Sequence, residues 1–349
     1  MNPILNDIYA QPGELARVLR SLTGEQAGEV RRVADLLNVA DEIVLTSMGS
    51  AFYSLMPMYE ALTALGRRAT LIETADLIHY PEKRNPRAVY VLMSRSGESR
   101  EVADFSGMLK RDGCMCVAIT MTPDSTMAKN STVMLYDIAS YDDIVCIKAY
   151  SSMALCGLVC VSMMGKKEFD PALAGALYAA FDWMEQNKAA ILAQYEAIPF
   201  LGEAHNFYLL SRGFGVNVMR SCSLWVEETA KTCANIMSID NFYHGPMEVI
   251  RAAKITKAVT CPLFLDVFPD DRSRMIWKNV HENIPHCIYV GPEGEAPVGG
   301  TCLSFPDWGL PCGYRMIPLA LYFQILSYEV ALRRGIEPGM FYSEGWVVT

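Results

Sequence analysis

Short apolar runs alternate with longer helix-like segments through the first half of the chain. The runs EIVLTS (42–47), AVYVLM (88–93) and CVAIT (116–120) have the length and the Val, Ile and Leu content of buried strands. Segments with apolar residues at helical spacing follow the first two runs, and another covers about 145–164. This alternation predicts parallel βαβ units with helices on both faces of a sheet.

The same alternation starts again after residue 200. The stretches 44–54 and 208–218 share a strand, a Ser-x-Gly step and a helix, which indicates a duplicated α/β domain. The region between the two halves has helical spacing without a strand-like run. We therefore predict four segments: a first domain with a leading helix (1–166), connecting helices (167–199), a second domain (200–335) and a tail (336–349).

The charge balance excludes two classes of partner. The 349 residues are 51% hydrophobic and carry a formal net charge of −9. Nucleic acids and membrane surfaces both need a basic footprint, so neither is expected as a partner. The N-terminus lacks the basic start and apolar core of a signal peptide. The most apolar later stretch, 151–164, is shorter than the ~20 residues that span a bilayer. We expect a cytoplasmic protein.

A polar loop, SRSGES, follows the strand-like run AVYVLM. The first N–H groups of a helix that follows a parallel strand lack intrahelical partners and favour anions. Ser94, Ser96 and Ser99 add hydroxyl donors, and Gly97 allows close approach of the backbone. This loop predicts a bound phosphate, although no nucleotide P-loop motif is present. A plain turn in which Ser96 or Ser99 caps the next helix is the alternative.

A second polar step, TSMGS, ends the first predicted strand and places Gly49 and Ser50 at the same edge of the sheet. Two such loops at neighbouring strand ends favour a sugar phosphate over a bare anion. Three cations could meet a further negative group of the ligand or could equally be surface charges: Arg95, Lys148 and Arg212.

Two glutamates and one histidine are candidates for proton transfer. Glu227 and Glu228 lie among apolar residues of a predicted helix, so one of them is expected to face inward. Burial there would raise the pKa of a carboxyl group towards neutrality. A solvated pair with Lys231 is the alternative. His244 precedes Gly-Pro at a predicted strand-to-helix junction, where its side chain can meet a ligand.

Together these motifs resemble those of the sugar isomerase (SIS) family, in particular proteins with two SIS domains. The family's phosphate loop, S-x-S-G-E-[ST], matches SRSGES, and its C-G-T-S loop matches Met48, Gly49, Ser50 and Ala51. Its catalytic glutamate and the histidine of its H-G-P motif match Glu228 and His244. The similarity is greatest to fructosamine-6-phosphate deglycases and to the isomerase half of glucosamine-6-phosphate synthase.

The resemblance implies two tandem SIS domains, each a parallel-sheet αβα sandwich of the flavodoxin-like or Rossmann-like kind. It implies Glu228 as base, His244 as acid–base and no metal or organic cofactor. It also implies a homodimer with shared active sites, because the family's H-G-P histidine reaches the neighbouring subunit. The tail should close over the substrate, with Tyr342 and Trp346 as candidate contacts. The implied substrate and phosphate contacts are Gly49, Ser50, Ala51, Ser94, Arg95, Ser96, Ser99 and Lys148.

Departures from the synthase pattern favour the deglycases. Trp225 stands where the synthase has a lysine three residues before its catalytic glutamate, and Glu344 occupies the nearest match to a lysine of the synthase's tail. Ala51 replaces the last serine of C-G-T-S, which puts one sugar contact in question.

The expected reaction cleaves a sugar 6-phosphate joined to an amino acid, such as fructoselysine or glucoselysine 6-phosphate, into hexose 6-phosphate and free amino acid. The alternatives are an aldose–ketose isomerase or aminosugar-phosphate deaminase, and a non-enzymatic sugar-phosphate-binding regulator. The attached amino acid, the position of the nitrogen at C1 or C2 and the role of the lysine-free tail stay open at this level.

Overall fold

The computed structural model describes residues 2–256 and 259–342, with the backbone alone for Lys254. The chain packs into two units. The N-terminal unit contains Asp7–Glu185 and Leu310–Ile317, with Tyr342. The C-terminal unit contains residues 2–6, Gln186–Gly309 and Pro318–Phe341.

Five parallel strands form the sheet of the N-terminal unit: β1 (Ile43–Thr46), β2 (Ala69–Leu71), β3 (Val89–Ser94), β4 (Met115–Thr120) and β5 (Val133–Tyr136). Their order is β2-β1-β3-β4-β5. β1 and β3 are buried at every position. Such continuous burial explains why both strands read as unbroken apolar runs, because helices cover both faces of a parallel sheet.

The helices from residue 3 to residue 196 are α1 (Pro3–Thr23), α2 (Ala27–Val39), α3 (Gly49–Ser54), α4 (Met56–Ala64), α5 (Thr74–His79), α6 (Arg100–Arg111), α7 (Thr126–Asn130), α8 (Lys148–Ser162) and α9 (Pro171–Glu196). The leading segment is two helices rather than the one predicted, since the chain turns at Gly24. α8 is almost wholly buried, as the apolar stretch predicts. The connecting region is one continuous helix, α9, within which the boundary between the units falls.

A second five-stranded sheet lies in the C-terminal unit, with strands β6 (Asn206–Ser211), β7 (Cys233–Ser238), β8 (Thr260–Leu265), β9 (Ile288–Pro292) and β10 (Thr301–Phe305). Its order is β10-β9-β8-β6-β7, and all paired strands are parallel. The remaining helices are α10 (Phe214–Ala230), α11 (Ile239–Tyr243), α12 (Glu248–Arg251), α13 (Ala253–Thr256), α14 (Asp271–Asn283) and α15 (Cys312–Arg333).

The two sheets repeat one arrangement. If β1–β5 are replaced by β6–β10 in turn, the first order becomes β7-β6-β8-β9-β10, which is the second order read from its other end. Ser47 Oγ donates to Met93 O at 2.5 Å, and Ser211 Oγ donates to Leu265 O at 2.6 Å, so each serine joins the first strand of its unit to the third. Gly49 and Gly213 then take φ +56° and +52°. The predicted α/β fold with two parallel sheets is confirmed.

The helices of the described ranges include none that is long and apolar enough to cross a bilayer.

Candidate functional site

The SRSGES loop forms a tight turn between β3 and α6, at the carboxyl end of the N-terminal sheet. Ser94 Oγ accepts a hydrogen bond from Gly97 N at 3.0 Å and lies 3.4 Å from Ser99 Oγ. Gly97 has φ +64°, and a Cβ at this position would lie 2.1 Å from Ser125 Oγ. A side chain is therefore excluded both by the left-handed backbone and by the close approach of Ser125.

Glu98 anchors the loop to the helix that follows β4. Its Oε1 accepts a hydrogen bond from Thr126 N at 2.7 Å, and this bond lowers the pKa of Glu98. Gly97 O also accepts a bond from Met127 N at 3.1 Å. The glutamate of the motif thus has a structural role in this chain, since it holds the loop against α7.

The capping alternative does not apply to Ser99. This residue occupies the N-cap position of α6, but its hydroxyl makes no capping hydrogen bond. Ser96 Oγ accepts a bond from Glu98 N at 3.2 Å, within the loop itself. Both serines are half-buried. The N-terminus of the 12-residue helix α6 and the two hydroxyls thus remain together at the end of β3.

Arg95 is the cation of this loop. Its backbone oxygen accepts bonds from Thr122 Oγ1 at 3.2 Å and from Tyr141 OH at 3.1 Å. Its guanidinium carbon lies 5.4 Å from the centre of the Tyr141 ring, within cation–π range. Its Nη1 atom is buried and has no hydrogen-bond partner among the residues that the structure describes. Arg95 therefore carries a buried hydrogen-bond donor that the described residues leave unsatisfied.

The loop after β1 starts next to the SRSGES loop, because β1 and β3 are neighbours in the sheet. Gly49, Ser50 and Ala51 form the first turn of α3. Gly49 is exposed, and the other two are half-buried. Two of the predicted loops thus lie side by side at one sheet edge, in the place that the sequence predicts.

Lys148 has a partner inside the N-terminal unit. It is buried, and its Nζ lies 2.7 Å from Asp7 Oδ1 and 3.0 Å from Tyr141 O. Asp142 accepts bonds from the backbone N–H groups of Lys148 and Ala149 at 2.7 and 3.0 Å. Burial raises the pKa of Asp142 to about 6. Lys148 therefore holds the segment that carries Tyr141, and its charge is already balanced by Asp7.

The candidate base lies on α10 of the C-terminal unit. Glu227 is exposed and its Oε1 accepts a bond from Ala234 N at 3.3 Å, whereas Glu228 is half-buried. Glu228 is thus more buried than Glu227, as expected if one of the two glutamates faces inward. Lys231 ends the helix with φ +52°, donates to the backbone oxygen of Glu228, and has a pKa lowered by burial. Lys231 is therefore bonded to the helix end, where its charge also interacts with that of Glu228.

His244 is exposed at the end of α11. The expected strand-to-helix junction is wrong in detail, because a helical turn, Ile239–Tyr243, separates β7 from the histidine. Ser238 caps this turn by accepting a bond from Asn241 N at 3.1 Å. His244 N donates to Asn241 O at 3.2 Å, and the Gly-Pro pair lies in the turn before α12.

Arg212 is not a free partner for a substrate carboxylate. Its guanidinium binds both carboxylate oxygens of Asp240, at 2.6 and 2.8 Å, and Asp270 Oδ1 at 2.8 Å. These bonds raise the pKa of Arg212, and Arg212 in turn lowers the pKa of Asp240. The third candidate cation is therefore part of an ion cluster.

The predicted residues thus form two groups, one in each unit. The loop residues and Lys148 belong to the N-terminal unit, and Glu228 and His244 belong to the C-terminal unit. Tyr342 is 69% exposed. Glu344 and Trp346 lie outside the described residues. Within residues 2–256 and 259–342, no group of three or more His, Cys, Asp or Glu side chains is arranged to hold a metal ion.

The chain is similar in sequence to aminotransferases that act on fructose 6-phosphate. No protein-family model matches it. It is 23% identical over 355 residues to glutamine--fructose-6-phosphate aminotransferase [isomerizing] of Aeropyrum pernix, with 96% of this chain and 55% of the relative covered. The Gluconobacter oxydans enzyme of the same name is 24% identical, with 95% and 56% covered. The chain thus spans about half the length of the curated relatives it matches.

Solved structures share the fold over nearly the whole chain. The C-terminal domain of glucosamine-fructose-6-phosphate aminotransferase from Francisella tularensis superposes with a TM-score of 0.78 and 14% identity, covering 96% of this chain and 97% of that one. Tagatose-6-phosphate ketose/aldose isomerase from Escherichia coli gives 0.77 and 16%, covering 99% and 97%. Glucosamine-6-phosphate deaminase from Thermotoga maritima gives 0.76 and 19%, covering 96% of each chain.

The resemblance to double-SIS-domain proteins is confirmed. Motif comparison with SIS proteins nevertheless overlooks two supporting residues of the serine loop, Ser125 and Tyr141. Ser125 caps α7, and a Ser followed by a short polar helix is a signal that could have marked it. Tyr141 lies 46 positions after Arg95, and no local pattern connects them.

Proposed function

We propose that the chain binds a sugar 6-phosphate through the Ser94–Ser99 loop and transfers protons on the sugar with Glu228 and His244. One observation carries the proposal: after the glycine turn at the end of β3, the Ser99 hydroxyl makes no capping hydrogen bond, and the N-terminus of α6 has no side-chain cap. Ligands of parallel α/β sheets lie at this edge, and helix N-termini favour anions.

The phosphate would receive three kinds of donor. The first N–H groups of α6 carry partial positive charge, and Ser96 and Ser99 supply hydroxyl groups. Arg95 supplies a full positive charge through its unpartnered Nη1. Holding the phosphate orients the sugar carbons, so binding energy from this remote group lowers the barrier of the proton transfer.

Glu228 would act as the base that moves a proton between C1 and C2. For a C1-linked conjugate, removal of a proton from C1 forms an enaminol, and protonation at C2 gives an imine between C1 and the nitrogen. Water then adds to C1, the C–N bond breaks, and hexose 6-phosphate and the free amino acid leave. His244 would open the sugar ring by exchanging a proton with the ring oxygen.

Within this reaction class we propose the deglycase. Supporting it, the position that is lysine in the synthase is Trp225, which is 1% exposed and thus part of the core. An aldose–ketose isomerase or aminosugar-phosphate deaminase is the second candidate. It is favoured by the likeness to proteins named as a tagatose-6-phosphate isomerase and a glucosamine-6-phosphate deaminase.

The decisive experiment incubates purified protein with fructoselysine 6-phosphate and with glucoselysine 6-phosphate, and follows hexose 6-phosphate release. Glu228→Gln is compared with Glu227→Gln, an adjacent exposed control on the same helix. Release that is lost only with Glu228→Gln supports the deglycase. Turnover of glucosamine 6-phosphate or fructose 6-phosphate instead supports the second candidate. Binding of these sugars without any turnover would support a regulator.

We also propose a homodimer in which His244 serves the partner subunit's site. The exposure of His244 agrees with a role outside its own packed core. Inactive Glu228→Gln and His244→Ala chains are mixed so that heterodimers form. If the two residues of a site come from different subunits, each heterodimer has one intact site and activity returns. Continued inactivity of verified heterodimers would refute the shared site.

A further inference from the structure

The carboxyl edge of the C-terminal sheet has the geometry of the serine-loop edge but different chemistry. Ser211 and Gly213 repeat the strand-joining serine and the positive-φ glycine of the N-terminal unit. Arg212 stands where the N-terminal unit has Met48. The loop after β8 contains Asp266 and Asp270, whereas the corresponding loop after β3 contains serines. At this edge, Arg212 is thus paired with aspartates of the same chain.

Arg212 links two helices across this edge. Its bonds to both oxygens of Asp240 fix the guanidinium in a planar fork, which is the strongest geometry for an Arg–carboxylate pair. The third bond goes to Asp270, whose side chain also caps α14 by accepting a bond from Ser273 N. The Arg212 side chain is 23% exposed, but those of Asp240 and Asp270 are 42% and 56% exposed, so water partly screens these bonds.

Asp240 lies on α11, the helix that ends immediately before His244. α11 has only five residues, so internal hydrogen bonds alone do not hold it. Ser238 caps its start, and Ile239 and Phe242 are fully buried beneath it. Arg212 holds the polar side of the same turn through Asp240, four positions before the histidine. The buried side chains and the fork together set the direction of the helix end.

We propose that Arg212 is a positioning residue, which orients His244 for proton transfer by holding α11 through Asp240. This inference rests on the proposed function, in which His244 is an acid–base group. Arg212 acts on the reaction through the helix, because its side-chain hydrogen bonds within residues 2–256 and 259–342 go to Asp240 and Asp270.

Arg272 is the second cation near Asp240, and its geometry is weaker. Its Nε lies 3.8 Å from Asp240 Oδ1, and its guanidinium carbon lies 5.1 Å from the Tyr243 ring centre. The side chain is 45% exposed. An exposed ion pair at this distance contributes little to stability. If Arg212 is substituted, Arg272 is therefore expected to restore only a small part of the contact with Asp240.

The test measures kcat and KM for Arg212→Met, for His244→Ala and for the double variant, on the sugar phosphate that wild type turns over. Acid–base groups contribute 10²–10⁴-fold, so the loss of orientation is expected to lower kcat by about tenfold with KM within about twofold. In the His244→Ala background the same substitution is expected to lower kcat by less than about twofold, because the group it positions is absent.

Two further variants separate positioning from general damage. Asp270→Asn keeps the cap of α14, since Asn caps as well as Asp, but weakens the other arm of Arg212; kcat should stay within about twofold. Asp240→Asn disrupts the fork at the α11 end and should reproduce the kcat loss even if Arg212→Met folds poorly. Hydrogen exchange of residues 238–244 should become faster in Arg212→Met and Asp240→Asn only.

Equal kcat losses from Arg212→Met with and without His244 would overturn the positioning role. So would unchanged kcat in both Arg212→Met and Asp240→Asn. If wild type turns over no sugar phosphate at all, the proposed function itself is refuted and this inference with it. Wild-type activity therefore distinguishes the two failures.

Discussion

Substitution of Gly97 by alanine tests the loop at its tightest point. An L-residue at φ +64° costs about 1–2 kcal/mol in backbone strain alone. The added Cβ would also lie 2.1 Å from Ser125 Oγ and 2.5 Å from Ser125 Cβ, so Ser125 or the loop must move. If Ser125 moves, α7 loses its N-cap, which contributes about 1 kcal/mol. The free energy of unfolding should therefore fall by about 2–3 kcal/mol.

Gly113→Ala is the matched control for this experiment. Gly113 has φ +70° in the same unit, but a Cβ there would meet nothing within 4 Å. Its substitution should cost only the backbone part, about 1–2 kcal/mol, and leave the KM for a sugar 6-phosphate unchanged. Gly97→Ala should raise this KM at least about tenfold, because the hydroxyls and N–H groups of the turn are displaced.

Urea denaturation and initial-rate kinetics measure both quantities. A second-site change, Ser125→Gly, removes the clash and keeps a residue that caps acceptably, so it should restore part of the stability and of the KM in the Gly97→Ala background. If Gly97→Ala costs no more than Gly113→Ala and leaves the KM unchanged, the loop neither packs against Ser125 nor binds the phosphate.

Three further predictions concern charged residues of the N-terminal unit. Arg95→Met should raise the KM for a sugar 6-phosphate by about tenfold with little change in kcat, since a charge-assisted bond is lost; an unchanged KM in initial-rate assays would contradict this. Lys148→Met should lower the free energy of unfolding by about 3–5 kcal/mol, because Asp7 stays buried without its partner, and adding Asp7→Asn should recover part of it in urea denaturation. Burial raises the pKa of Asp137 to about 6 from an unfolded value near 3.8. Its protonated form therefore stabilises the fold below pH ~4, and about 2–3 kcal/mol is lost as the pH rises through 6. The raised pKa of Asp142 adds a slope over the same pH range, so Asp137→Asn should remove only the part that Asp137 contributes. A slope as steep in the variant as in wild type would refute the assignment.

The strands and helices that the sequence predicts best are those whose burial is continuous. β3 and α8 are buried along nearly their whole length, so their apolar runs are unbroken. β10 escapes prediction because it is an edge strand whose residues alternate between covered and exposed, TCLSF. α7 has five residues, too few to show a helical period, and its hydrogen bonds come largely from Ser125 and Glu98.

The local chemistry of the serine loop is likewise readable from the sequence. Gly97 is required where the backbone turns left-handed, and serines beside a helix start predict an anion site. The repeat of the Ser-x-Gly step also predicts the repeated strand order, because the same step ends the first strand of both sheets. Neighbouring residues carry all the information that these features need.

Only the tertiary structure decides whether each candidate cation already has a partner within the chain. Arg95, Lys148 and Arg212 are alike as candidates in the sequence. In the structure Lys148 is paired with Asp7, which is 141 positions away, and Arg212 is paired with Asp240 and Asp270. The Nη1 atom of Arg95 is left without a partner among the described residues. A local pattern fixes which groups a segment offers, but the charges that neutralise them come from distant segments that meet only when the chain folds.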